Sequence, residues 1–132
     1  MIELTIGELA RRCFVNVQTI RYYERIGLLP EPGRTSGGHR RYTEVHLGRV
    51  EFIRRGRELG FPLPDIEELL RLAGQREGRC AAASQLAAVQ LQKVRGRIDE
   101  LRRLEVQLAD GLSQCRPEED PIGCPVIDLL QG

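Results

Sequence analysis

Residues 5–42 read TIGELARRCFVNVQTIRYYERIGLLPEPGRTSGGHRRY. Thr5 followed by Glu8 is a capping-box pair ahead of Ile6 and Leu9, which predicts a short helix over about residues 6–12. Asn16 can cap a second helix over about residues 17–26, where Val17, Ile20 and Tyr23 recur at helical spacing and Gly27 ends the run. Two short helices joined by a tight turn form a helix-turn-helix, whose second helix is the one offered to a DNA major groove. The two prolines and three glycines of LLPEPGRTSGGHRRY then exclude a helix, while Arg34, His39, Arg40, Arg41 and Tyr42 gather donors and positive charge as a wing would. On this basis Gln18, Thr19 and Arg21 face base edges or nearby phosphates. Tyr22, Arg34, His39, Arg40, Arg41 and Tyr42 serve mainly as backbone anchors.

Thr43 caps a third helix with Val45, Leu47, Val50, Phe52 and Ile53 as its apolar face, closed by Gly60. FPLPDIEELLRL (61–72) opens a fourth, with Pro64 in its first turn and Asp65, Glu67 and Glu68 near its positive end. AGQREGR (73–79) is a linker by composition. From Ala81 to Leu112 there is no proline. Ser84, Ala87, Leu91, Val94, Ile98, Leu101, Glu105, Leu108 and Leu112 alternate at three and four, a heptad seam. At about 1.5 Å per residue this helix runs roughly 48 Å. Its apolar stripe needs a partner, and a second copy of the chain is expected to supply it. Gly96 is the one position that could break the rod into a hairpin.

The bulk properties agree. The chain has 132 residues, no Trp, and only 3 Tyr and 3 Phe, which is little bulk for a self-sufficient core and favours oligomerisation. Residues 1–60 hold 11 Lys/Arg against 7 Asp/Glu, and residues 61–132 hold 9 against 12. A basic half joined to an acidic half suits one end that meets a polyanion. No apolar run suggests a signal peptide or a membrane span, so the expected location is cytoplasmic, without membrane association. No phosphate loop, nucleophile elbow or paired catalytic carboxylates are present, so no enzyme is expected.

In a reducing compartment four cysteines point to metal or redox chemistry rather than disulfides. Cys13 reads as packing. Cys80 precedes the long helix, whereas Cys115 follows it and Cys124 lies nine residues on, so one rigid chain cannot bring the first to the other two. Antiparallel pairing of two long helices does: Cys80 of one protomer then meets Cys115 and Cys124 of its partner, giving two three-thiolate sites. Such donors suit a soft ion. Glu118, Glu119 and Asp120 read as solvated loop charge.

The segments IGELARR, TIRYYERIGLLPEP, GGHRRY, RVEFIRRGRELGF and DIEELLRL resemble the DNA-binding domain of the MerR family of transcription regulators, over about residues 4–72. The remainder, through the close CPVIDLLQG, is similar to the mercury-responsive members of that family. The resemblance implies a homodimeric switch on promoter DNA. It represses without metal and, with Hg(II) on Cys80, Cys115 and Cys124, untwists the DNA so that RNA polymerase engages both promoter elements. It leaves open Pb(II), Cd(II) or Zn(II) sensing, and a thiol redox switch remains a further alternative. Cys13 and Phe14 depart from the small residue and Gly usual at this turn, which predicts an altered backbone there. The expected fold is mainly α. It comprises a winged helix-turn-helix domain (1–72), a linker (73–80), a long antiparallel coiled-coil dimerisation helix (81–112), and a short C-terminal metal-binding loop and helix (113–132).

Overall fold

A computed structural model describes residues 2–115 and 123–132. It is mainly helical, in the order α1 (Ile6–Cys13), α2 (Val17–Arg25), β1 (Gly33–Arg34), β2 (Arg40–Arg41), α3 (Glu44–Glu58), α4 (Leu63–Ala73), α5 (Arg79–Gln114) and α6 (Pro125–Gln131). The chain divides into two compact units, Met1–Leu86 and Ala87–Gly132.

The helix starts follow their caps. Thr5 Oγ1 accepts from the Glu8 amide at 3.1 Å and Asn16 Oδ1 from the Thr19 amide at 2.8 Å. At α3 the reciprocal half of the capping box comes from a histidine: Thr43 Oγ1 accepts from Val45 N–H, and His46 Nδ1 accepts from Thr43 N–H at 3.1 Å. Because Nδ1 accepts, the ring proton sits on Nε2, which donates to the Pro30 carbonyl at 3.0 Å. Buried His46 thus ties the start of α3 to the base of the wing.

Three helices end in the same hydrogen-bond pattern. After α2 and α3, Gly27 (φ 84°) and Gly60 (φ 86°) take the left-handed position, and the next amides, Leu28 and Phe61, bond back to the Tyr23 and Gly56 carbonyls. After α1 that position belongs to Phe14, at φ 56° and ψ 39°, with Val15 N–H on the Ala10 carbonyl at 3.1 Å. The bulky residue therefore does not alter the turn. It adopts the glycine conformation, at a steric cost on the order of 1–2 kcal/mol.

In the first unit β1 and β2 pair antiparallel, Gly33 opposite Arg41 and Arg34 opposite Arg40. Tyr42 extends the ladder to Leu4, each amide bonded to the other's carbonyl at 2.8 and 2.9 Å. Leu9 and Cys13 of α1, Ile20 and Tyr23 of α2, Val50 and Ile53 of α3 and Ile66 of α4 close over this bridge as one core. Val45 is exposed, because the inward face of α3 is His46, Val50, Ile53 and Gly56. Gly56 lets α4 approach: a Cβ there would stand 2.9 Å from Ile66 Cγ1. Cys13 is fully buried, its Sγ 3.9 Å from the Leu47 carbonyl, and burial pushes its thiol up from the ordinary value, as suits a packing residue.

The α5 helix begins at Arg79, so Cys80 lies inside its first turn rather than in the preceding linker. Leu86 packs on the core of the first unit. Gly96 does not interrupt the helix. Within the second unit Leu91, Leu101, Leu108 and Leu112 stay exposed along α5.

Two glycines of α3 should respond oppositely to an added methyl. Gly56→Ala forces Ile66 aside and should cost about 1–3 kcal/mol. Gly48→Ala, with nothing within 4 Å of the new carbon, should stabilise by about 0.5–1 kcal/mol. Chemical denaturation of both variants against the parent checks the contrast.

Candidate DNA-binding surface and thiol pair

Gln18, Arg21, Tyr22 and Arg25 are all exposed and recur at i, i+3, i+4 and i+7, so they form one outward stripe of α2 opposite buried Ile20 and Tyr23. Arg25 was not anticipated from the motif, although the spacing from Gln18 would have found it. Its guanidinium lies 5.5 Å from the Tyr22 ring centroid. Thr19 belongs to a different set. It is half-buried and its hydroxyl donates to Asn16 Oδ1 at 3.0 Å, which makes it part of the helix cap rather than a free reader of bases.

The wing carries the rest. Arg34 Nη1 donates to the Gly38 carbonyl at 2.9 Å and braces the hairpin turn, and His39 is exposed beside it. Arg41 pairs with Glu3, and Arg40 pairs with Glu24 of α2. Tyr42 corrects the sequence expectation: it is fully buried, so it cannot anchor a phosphate. Strand alternation turns position 42 inward while Arg41 faces out. The Tyr42 hydroxyl donates to the other oxygen of the Glu24 carboxylate. Burial first, then the Glu24 contact, pushes the phenol above its ordinary value of 10.0. Between α2 and the wing lies a cleft of about 730 Å³ lined by Arg21, Arg25, Arg34 and Arg40, with Glu24 and Glu31. Its positive balance and its position beside the exposed face of α2 suit a phosphate backbone.

In the second unit α6 rests on the last turns of α5. Gly111 is buried there, and a Cβ on it would come 2.9 Å from Leu129 Cδ1 and 3.8 Å from Val126 Cγ2. This seat sets the two thiols. Cys115 directly follows α5, its amide bonded to the Gly111 carbonyl at 3.1 Å, and Cys124 is the N-cap residue of α6. Both are half-buried. The Cys115 thiol is pushed up from the ordinary value by desolvation first, then by the charge and hydrogen bond of Cys124, so the two sulfurs interact. Cys80 is exposed on the first turn of α5. Among the described residues no three His, Cys, Asp or Glu side chains of the single chain gather as a metal cluster. Glu118, Glu119 and Asp120 lie outside the described residues. Among the described residues, no helix is long and apolar enough to cross a membrane.

A helix-turn-helix with a basic wing, followed by a long helix and a paired-thiol terminus, defines a DNA-binding regulator. Comparison with known proteins agrees. The family described as MerR HTH family regulatory protein matches residues 4–73, and that described as MerR, DNA binding matches residues 47–111. A mercuric resistance operon regulatory protein of Bacillus cereus is 40% identical over 129 residues, covering 98% of each chain. A transcription regulator of Ralstonia metallidurans in complex with lead(II) superposes with a TM-score of 0.73 at 40% identity, over 96% of this chain and 98% of that one. A Bacillus megaterium regulator in complex with mercury(II) gives 0.71 at 35% identity, over 98% and 100%. The chain belongs to the MerR family of transcription regulators.

Buried Tyr42 gives a pH signature. Its folded pKa lies above the unfolded 10.0, so the associated stability is fully present below pH 10.0 and is lost as pH rises through the folded value. Tyr42→Phe should lower the melting temperature at pH 7, by about 1 kcal/mol in stability. It should also flatten the alkaline decline seen in the parent protein. Thermal melts from neutral to strongly alkaline pH test both effects.

Proposed function

We propose that this chain is a Hg(II)-responsive regulator of a mercury resistance operon, acting on promoter DNA as a cytoplasmic homodimer. The observation that carries this reading is the thiol pair of Cys115 and Cys124, set by the seat of α6 on Gly111. Two soft donors with no imidazole beside them among the described residues suit a thiophilic ion. Cys80 completes the set from the partner protomer. Within one chain the intervening helix, at about 1.5 Å rise per residue, holds it far from Cys115. The exposed stripe of Leu91, Leu101, Leu108 and Leu112 supports the antiparallel pairing this needs, because an apolar face of that length is not stable in water alone. The mercuric resistance protein and the mercury(II) complex among its relatives support the same ion.

In this reading Gln18, Arg21, Tyr22 and Arg25 meet the major groove. Arg34 and His39 meet the backbone, with Arg41 after exchange from Glu3. Ion capture shifts the dimer so that the promoter is distorted and RNA polymerase engages. Thiol ligands bind as thiolates, so capture displaces the Cys115 proton and affinity rises with pH. A second reading, a Pb(II), Cd(II) or Zn(II) sensor, is favoured by the lead(II) complex at 40% identity.

Cys80→Ser, Cys115→Ser and Cys124→Ser should each abolish the metal response while operator binding persists. A retained Hg(II) response in any one of them removes the three-thiolate site. In a mixed dimer of Cys80→Ser with Cys115→Ser one site loses two ligands and the other keeps all three, so half the metal capacity should survive. Zero capacity would place each site within one chain. Competition among Hg, Pb, Cd and Zn in a thiol buffer identifies the ion, and loss of DNA binding under mild peroxide alone would favour a redox switch instead.

A further inference from the structure

Four arginines line the cleft between α2 and the wing, and the ion pairs of the described residues treat them unequally. Arg21, Arg25 and Arg34 have no carboxylate partner among the described residues, whereas Arg40 is paired to Glu24. Glu24 is no casual surface acid. Its side chain is 11% exposed, and its two oxygens accept from two different donors, the Tyr42 hydroxyl and the Arg40 guanidinium. The tyrosine is anchored: it is fully buried and its backbone is bridged to Leu4. The carboxylate is thereby fixed in place, and it in turn fixes the arginine.

We propose that Glu24 is a specificity-determining residue that withholds Arg40 from DNA phosphates. A guanidinium neutralised by a fixed carboxylate contributes little to the sequence-independent attraction that governs non-specific binding. The wing keeps its position on α2 through the same contact, so recognition geometry is retained while indiscriminate affinity falls. The proposal rests on the cleft being the DNA-binding surface, and its test reads that premise separately.

Binding of a mixed-sequence DNA duplex is followed by fluorescence anisotropy across a salt series for the full chain. Wild-type protein must bind with a salt-dependent affinity; failure here removes the DNA reading of the cleft itself. Glu24→Gln keeps an acceptor for Tyr42 and frees Arg40. It should tighten non-specific binding and steepen the slope of log K against log salt by about 0.9, the value of one added phosphate contact. In an Arg40→Ala background the same substitution should add no such increment. An unchanged or shallower slope in Glu24→Gln overturns the proposal, as does an increment that persists without Arg40, which would mean simple repulsion between Glu24 and DNA. Whatever the folding of Glu24→Gln, Arg40→Ala alone gives an independent reading. A loss of about 0.9 in slope shows Arg40 already on a phosphate and overturns the proposal, while a loss of less than half of that supports it.

Discussion

A phenol taken out of water needs an acceptor, and in this chain that requirement is met across elements far apart in sequence. Tyr42 is fully buried and gives its proton to Glu24, while its backbone pairs with Leu4. The N-terminal segment, the recognition helix and the wing therefore meet at one residue. The His46 bond to the Pro30 carbonyl adds a second tie, from α3 to the base of the wing. Two contacts between the hairpin and its surroundings are polar and buried or half-buried, where an unpaired partner is expensive. This explains how a hairpin of two-residue strands holds a definite position.

The second unit depends on a different constraint. Its residues along α5 are almost all exposed, and burial is concentrated where α6 covers Gly111. Hydrophobic stabilisation within this unit is thus slight, and the helix owes its persistence to whatever lies on its stripe. If two copies pair on this stripe as proposed, the surface that joins them also determines which thiols meet.

Much of this was legible in the residues. Thr5, Asn16 and Thr43 announced three helix starts because a side-chain oxygen ahead of an apolar period has few other roles. Cys13 was read as a packing residue, and the structure buries it fully. The misread positions share a cause: each was judged by its sequence neighbours. Tyr42 follows two arginines and looked like part of the basic wing, but alternation along the strand turns it inward. Thr19 looked like a base reader, yet it is half-buried and its hydroxyl donates to Asn16 Oδ1 in the helix cap. Phe14 broke the expected glycine pattern without breaking the turn, because the Phe14 and Val15 amides both bond back into α1 and hold the left-handed backbone. The meeting of Cys115 and Cys124 at one end of α5 was expected from the sequence, but the packing of α6 that positions them was not readable from their spacing. That packing needs a residue without a side chain at position 111, where a Cβ would stand 2.9 Å from Leu129 Cδ1.

The separation of the two sulfurs is inherited from how closely two helices lie, and that closeness depends on what Leu129 and Val126 press against. If these thiols are the ligands proposed above, ionic preference can drift through apolar substitutions that never touch a sulfur. Two descendants with identical cysteines need not favour the same element.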